Sequence, residues 1–282
     1  MNSFVPPSSP SKEKENILHR ILAAKRREVK QQKEAVPLTA LWSMAGERMD
    51  RPTYSMRSAL ARSETGIIAE FKRKSPSRGW LFPGALIENV LPVYVGGGAS
   101  ACSVLTDGDF FGGSLRDLCT ARKLVNIPLL RKDFIVDEYQ LFQARAMGAD
   151  AILLIAAALS REVCASLART AHSLHLEVLL EIHNEEELSW LNPDVDMLGV
   201  NNRNLHTFRT DTAISFHLAG HILRTFPHEN APLLVSESGI SEAHTVRSLK
   251  QAGYRGFLIG ETFMKSQQPG QALAGFIREL RQ

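Results

Sequence analysis

The chain has 282 residues, of which 44% are hydrophobic and 22% charged, and its formal net charge is +3. This composition is that of an ordinary soluble globular protein and excludes collagen-like, fibrous and wholly disordered chains. The longest apolar run, Ala151 to Leu159, holds about 9 of the roughly 20 residues a membrane span needs. Met1 leads into a polar Pro/Ser segment unlike a secretory signal, and Cys102, Cys119 and Cys164 are too few and scattered for a disulfide framework or metal cluster, so a reduced, cytoplasmic protein is expected.

Residues 1–11 (MNSFVPPSSPS) are Pro/Ser-rich and are expected to be disordered. Residues 12–62 read as an N-terminal helical extension. Within it, Asn16 to Gln32 has the spacing of an amphipathic helix, with Ile17, Ile21, Ala24 and Val29 along one stripe. The same stretch is basic, with Lys12, Lys14, Arg20, Lys25, Arg26, Arg27, Lys30 and Lys33 against Glu13, Glu15 and Glu28. No aromatic residue interleaves with these charges, so a solvated helix face is expected rather than a nucleic-acid surface.

From residue 63 to 282 the rhythm changes. Apolar, strand-like runs recur at Ile67–Phe71, Ala101–Leu105, Ile127–Leu130, Ala151–Ile155, Leu176–Ile182, Met197–Val200, Leu233–Val235 and Phe257–Ile259. Helical segments such as Tyr139–Gly148 and Ser160–Leu174 fill the gaps. Eight strands alternating with helices predict an α/β protein with a parallel (β/α)8 (TIM) barrel. The competing doubly wound sheet would carry a Gly-x-Gly-x-x-Gly turn after its first strand, and none is present.

A barrel places its chemistry at the C-terminal ends of its strands. Strand parity puts Glu70 and Lys72 on one side of the first run, Lys132 and Phe134 on one side of the third, and Asn201 and Arg203 on one side of the sixth. Glu181 ends a nearly apolar fifth run, where burial favours its neutral form unless a lysine pairs with it. A lysine beside an aromatic in a half-dry mouth is a candidate acid, because desolvation loosens its proton. Four strands delivering polar groups to one end point to a catalytic site. The seventh and eighth runs end VSESGIS and FLIGETF, each placing a glycine where a helix would begin, and such turns favour a phosphate dianion. Ser75 and Arg203 are candidates to complete that cage. The nine histidines lack metal-ligand spacing, and His183, near the mouth and within reach of Glu181's surroundings, is read as a surface or loop residue. Trp42 and Trp190 are read as helix-packing residues, and the cysteines as core.

The stretches IIAEFKRKSPSRG, SVLTDGDFFGGSLRDL, PLLRKDFIVDEYQLFQARAMGADAILLI, LLEIHNEEEL, GVNNRNLHTF, VSESGIS and FLIGETFMK resemble the indole-3-glycerol phosphate synthase family of tryptophan biosynthesis. The resemblance implies conversion of 1-(2-carboxyphenylamino)-1-deoxyribulose 5-phosphate to indole-3-glycerol phosphate with loss of carbon dioxide and water, without cofactor or metal. By resemblance Lys132 is the acid for ring closure and Lys72 lies by the substrate carboxylate. Glu181 is the general base, Glu70 a second carboxylate, and Asn201 orients substrate hydroxyls. Ser75, Arg203, Gly239 and Gly260 match phosphate contacts, with Glu237, Ser238 and Glu261 on the same turns. Phe111, Phe134, Leu153 and Pro76 match the walls around the anthranilate ring. The implied partner is a phosphorylated small molecule, with no nucleic acid and no membrane. A monomer is expected, and association with other enzymes of the pathway is open.

Some positions depart from the family pattern. Glu261 stands where some members have serine, so only its backbone N–H is expected to help a phosphate. Asp107 replaces a commoner glutamate and Asn204 an aspartate. Arg131 replaces an apolar or small residue, and parity turns it outward, with little effect expected. Two other functions were weighed. A phosphoribosylanthranilate isomerase would need a Cys/Asp acid–base pair, where the first strand has Glu70 and Lys72. A non-catalytic phosphoribosyl-binding module would have little use for charges in a barrel mouth.

Overall fold

The computed structural model describes residues 17–204, 209–226 and 232–282. The proposed disordered segment 1–11, the basic residues Lys12 and Lys14, and the tail of the NNRNLHTF stretch lie outside them.

Eight parallel strands form a closed barrel in chain order: β1 Ile67–Phe71, β2 Ala101–Leu105, β3 Leu129–Lys132, β4 Ala151–Ile155, β5 Glu177–Ile182, β6 Met197–Asn201, β7 Leu233–Glu237 and β8 Gly256–Ile259. β1 closes the ring by pairing with both β2 and β8. Such strands are covered on both faces, which is why they read as continuous apolar runs rather than alternating ones. One face fills the barrel with Ile68, Leu130, Leu153, Leu179, Met197, Val235 and Leu258. The other, with Ile67, Ala69, Val104, Ile152, Val178 and Leu198, packs beneath the helices. Each such Leu or Ile contributes roughly 1.5–3 kcal/mol by leaving water.

Three helices precede the barrel, α1 Ile17–Ala35, α2 Leu38–Met49 and α3 Met56–Arg62. α4 Ile87–Gly96 follows β1, α5 Gly108–Phe111 and α6 Leu115–Leu124 follow β2, and α7 Tyr139–Met147 follows β3. α8 Arg161–Ser173 follows β4, α9 Ala213–Thr225 follows β6 and α10 Ala243–Gln251 follows β7. α11 Glu261–Met264 and α12 Pro269–Leu280 follow β8. Capping residues mark several boundaries. Ser160 Oγ accepts from the Val163 N–H to start α8, and Gly148, at φ 93°, ends α7 in the left-handed conformation. Between β5 and β6 the connection is a single 3-10 turn, Glu186–Trp190, instead of a full helix.

Several expectations need correction. The third strand runs Leu129–Lys132, two residues later than the apolar run suggested, which makes Lys132 its last residue. The buried stripe of α1 is Leu18, Ile21, Leu22, Lys25 and Val29; Ile17 and Ala24 are only half-buried, and Lys25, a lysine only 1% exposed, takes a place in the stripe. Arg131 does point out of the barrel, but into a buried network rather than towards solvent. Its guanidinium pairs with Asp133 at 2.9 Å and donates to Thr106 and the Gln140 carbonyl. Trp42 is 63% exposed, although its ring lies against Phe142.

The network explains the buried lysine. Lys25 Nζ sits 2.9 Å from Asp133 and 3.0 Å from Asp107, with Glu28 at 2.7 Å. Asp107 and Asp133 stand in the loops after β2 and β3, so one α1 side chain binds the extension to the catalytic end of the barrel. Burial alone would lower the ammonium's pKa, but Asp133 and Asp107 outweigh it and hold it raised. At the opposite end Asp150 accepts from Arg51, Arg122 and the N–H groups of Tyr54 and Leu129.

Candidate active site

A cavity of about 600 Å³ opens at the C-terminal end of the strands, a volume suited to a small-molecule substrate. Its floor is charged. Lys132, the last residue of β3, lies 3.0 Å from Glu181 Oε2 and 3.3 Å from Glu237 Oε2. Glu181 Oε1 accepts from Asn201 Nδ2 at 3.0 Å, and Asn201 Oδ1 accepts from the Arg203 N–H. Across the floor Lys72 pairs with Glu70 at 2.5 Å. The structure therefore brings together Lys132, Glu181, Lys72, Glu70 and Asn201, the five residues expected to act in catalysis.

Two glycines make this floor possible. A Cβ on Gly199 of β6 would lie 2.2 Å from Glu237 Oε1, and one on Gly260 would lie 2.3 Å from Glu70 Oε1. Both positions face inward, and the missing side chains are the space the carboxylates occupy.

The electrostatics differ from the simple desolvation picture. Burial favours a neutral Lys132, but Glu181, Glu237 and Glu70 outweigh it, so the ammonium is held and its pKa is raised. Glu181, despite burial, is held ionised by Lys132 and by His183, and its pKa is lowered. Glu237 is pushed up to about 7, first by burial and then by repulsion from Glu181 and Glu70, with only Lys132 opposing. Two carboxylates share one ammonium, and their protons come apart as a set. Such a site holds a loaded acid, an ionised base and a carboxyl group that titrates near neutrality.

The rest of the cavity lining is of two chemical kinds. One is apolar: Phe111 and Phe134, with ring centroids 6.1 Å apart, with Pro76, Leu105, Leu153 and, from the start of α1, Ile17, Leu18 and Ile21. The other comprises Ser75, Arg203, Ser238, Gly239, Gly260, Glu261 and Lys265. Ser75 Oγ is buried there without a hydrogen-bond partner. Ser238 and Gly239 both take positive φ, 70° and 75°, which turns the chain sharply after β7. The sequence placed a helix start at that turn, but the helix begins four residues after Gly239, at Ala243. Gly260 does directly precede α11, whose first N–H groups have no intrahelical acceptor. The Glu261 carboxylate is turned to Arg78 at 3.4 Å and Arg203 at 3.5 Å.

The family model for indole-3-glycerol phosphate synthase matches residues 18–276. The chain belongs to the indole-3-glycerol phosphate synthase family. An indole-3-glycerol phosphate synthase of Bacteroides thetaiotaomicron is 54% identical over 266 residues, covering 94% of this chain and 99% of the relative. One from Burkholderia multivorans is 43% identical over 92% of this chain and 98% of its own, and one from Chromobacterium violaceum 41% over 92% and 97%. Among solved structures, a mutant tryptophan synthase α-subunit from Pyrococcus furiosus superposes with a TM-score of 0.58 at 14% identity, over 77% of this chain and 98% of that one, which speaks for the barrel fold alone. The family makes this chain a carboxy-lyase, an enzyme of tryptophan biosynthesis. Among the described residues no helix is long and apolar enough to cross a membrane.

Sequence reasoning missed three features of this family member's site. His183 is indeed a loop residue at the mouth, but it is largely buried, not on the surface, with Nε2 3.4 Å from Glu181. Glu237, grouped with the phosphate turn, points into the barrel beside Lys132. Parity carried the signal for Glu237, since Val235 and Glu237 face the same way on β7. Lys265 is the third feature, and nothing in its local pattern marks it.

Proposed function

We propose that this enzyme closes the indole ring of 1-(2-carboxyphenylamino)-1-deoxyribulose 5-phosphate, with Lys132 as general acid and Glu181 as general base. The anthranilate ring lies between Phe111, Phe134, Leu153 and Pro76, where apolar walls exclude water. The phosphate is held by Ser75 Oγ, Arg203 and the backbone N–H groups at Gly239 and Gly260, beside Ser238. Arginine suits bidentate oxygen contacts, and Arg203 leaves Glu261 when the stronger dianion arrives.

This pose sets the ribulose carbonyl over the charged floor. Attack by the aromatic carbon builds negative charge on the carbonyl oxygen, and the Lys132 ammonium donates to it. Loss of carbon dioxide from the ring carboxylate, which lies by Lys72, restores the aromatic system. Glu181, ionised in the free enzyme, takes the proton released from the carbon next to the ring nitrogen and returns it to the hydroxyl formed from the carbonyl, which leaves as water beside Glu70 and Lys72. Asn201 orients the sugar hydroxyls and Glu181 together. Glu237 tunes Lys132, because its ionisation near neutrality sets how tightly that proton is held.

The observation that carries this reading is Lys132 held between two buried carboxylates, in a cavity lined both by Phe111 and Phe134 and by Ser75 and Arg203. The test is indole fluorescence from the carboxyphenylamino-deoxyribulose phosphate with wild type and Lys132→Ala. A loss of roughly 10²–10⁴-fold in kcat, with substrate still bound, is expected. Normal turnover by the variant would remove Lys132 from the mechanism.

A further inference from the structure

Charge balance raises a question that the residues on the floor do not answer. In the reaction proposed above, on which this inference rests, a carboxylate leaves as neutral carbon dioxide while the phosphate keeps its charge. One proton must therefore enter the site in each turnover. Lys132 supplies it to the carbonyl oxygen and has to be reloaded, although it is largely buried under substrate and flanked by Glu181 and Glu237.

The β5 wall offers a way in. His183, one residue beyond the strand, is 12% exposed at its side chain and stands between two carboxylates. Its Nε2 is buried, has no hydrogen bond, and faces Glu181 Oε1 at 3.4 Å. Its Nδ1 faces Glu187 Oε2 at 3.4 Å. Glu187 is itself fixed, since its Oε2 accepts the His183 N–H at 2.7 Å and its Oε1 accepts from Asn184 Nδ2. Glu181 in turn touches Lys132 through its other oxygen, Oε2. On its outer side His183 borders a shallow surface depression, shared with Glu185, Glu186, Asp211 and His217, that is separate from the catalytic cavity. A single ring thus connects solvent on one side of the wall to the base on the other. The full helix that would normally cover this stretch is replaced by the short 3-10 turn Glu186–Trp190, which supplies Glu187.

We propose that His183 is the proton inlet of the active site, passing a proton from the surface depression through Glu181 to reload Lys132. The transfer balances in three moves. The Nε2 proton of the imidazolium goes to Glu181 Oε1, giving a carboxylic acid. Glu181 passes a proton from its carboxyl group to the neutral Lys132 amine, restoring carboxylate and ammonium. The neutral ring keeps its Nδ1 proton, turns over to bring the bare Nε2 to the depression beside Glu187, takes a proton there from water, and turns back as imidazolium. The 3.4 Å separations shorten when substrate closes the site, as catalytic contacts commonly do. Burial lowers the ring's pKa, but Glu187, Glu181 and, through space, Glu237 outweigh it and hold it raised. His183 touches no reacting atom, so it is a positioning residue that acts through Glu181.

The experiment compares wild type, His183→Ala, His183→Gln and Glu187→Gln by indole fluorescence. The variables are pH, deuterated solvent and imidazole concentration, with circular dichroism to establish folding. The relay predicts that His183→Ala lowers kcat roughly 10–100-fold with KM changed less than twofold. It also predicts a larger solvent isotope effect than wild type and a rate that climbs with added imidazole. His183→Gln keeps the shape and the hydrogen bonding but carries no proton, so it stays slow. Glu187→Gln, nearer the surface, slows turnover a few-fold and is the usable readout if His183→Ala does not fold. Full activity in His183→Gln, or a His183→Ala whose kcat and isotope effect match wild type, overturns the inlet and leaves the proposed reaction standing. A wild-type enzyme that forms no indole product overturns the reaction and the inlet together.

Discussion

Lys25→Met tests whether α1 is held by its buried ion network or by its apolar stripe. Methionine keeps the length and apolar stem of lysine and removes only the ammonium. Asp133 retains Arg131 at 2.9 Å, whereas Asp107 keeps only the N-cap hydrogen bond from the Phe110 N–H. Removing one partner of a buried pair costs about 3–5 kcal/mol, because the other charge is left behind in low dielectric. For a chain of this size that is a fall in Tm of roughly 5–15 °C, measured by calorimetry. The loss takes one of two forms. If α1 and barrel unfold together, the whole transition moves down. If α1 lets go locally, the barrel transition stays while amide exchange in residues 17–35 speeds up, and KM rises because Ile17, Leu18 and Ile21 no longer line the cavity. The pH dependence follows from the directions of the shifts. Lys25 is raised, so its contribution is complete below the unfolded lysine value near 10.4 and is lost only as pH climbs through the folded one. Asp133 is lowered, so its share is present above the unfolded value near 3.9 and is lost as pH falls. The difference between wild type and variant is accordingly flat from about pH 5 to 10. A Tm within 1 °C of wild type, with unchanged exchange in α1 and unchanged KM, would refute the argument.

Three further outcomes are expected. Ser75→Ala removes a buried hydroxyl that has no partner in the free enzyme, so the apo protein keeps its Tm, while inhibition by inorganic phosphate weakens several-fold; unchanged inhibition would remove Ser75 from the phosphate end. Gly260→Ala drives a Cβ into Glu70 and separates it from Lys72. Turnover should fall at least tenfold with a modest change in Tm, and a crystal structure with the Glu70–Lys72 pair intact would contradict this. Asp150→Ala strips four donors of their acceptor at the end of the barrel away from the cavity. A loss of about 3–5 kcal/mol by urea unfolding is expected, with kcat at 25 °C within twofold of wild type.

Periodicity and parity carried the barrel, because a strand covered on both faces must be apolar throughout and can admit a charge only where its inner face reaches the mouth. That is why Glu70, Lys132, Glu181 and Asn201 stood out in the sequence. Features missed there depend on contacts between distant segments. Lys25 looks like one basic residue among eight until Asp107 and Asp133 are brought against it. Arg131 obeyed its parity, yet parity says only that a side chain leaves the barrel, not whether water or another carboxylate awaits it. The same limit left His183 undecided: residues past a strand end have no alternation to read, so a place beside Glu181 and a surface role stood together until the fold set the ring against Glu181. The direction of the Lys132 shift was also out of reach, since it depends on three carboxylates from three other strands outweighing burial.

Met56 and Leu60 of α3 lie fully buried among the barrel-interior side chains with Val235 and Leu258, and a Cβ on Gly256 would press on Leu60. The stopper at the base of the barrel is therefore made before the first strand and seated only when the last one arrives, roughly 200 residues later in the chain. Contacts of that sequence separation are slow to form. During synthesis the early strands wait with an unsealed interior, exposed to mispairing and aggregation. Chain closure is thus a late and cooperative event here, coupling the extension to the final strands. A barrel cut loose at residue 63 would be a cylinder without its plug, not a smaller enzyme.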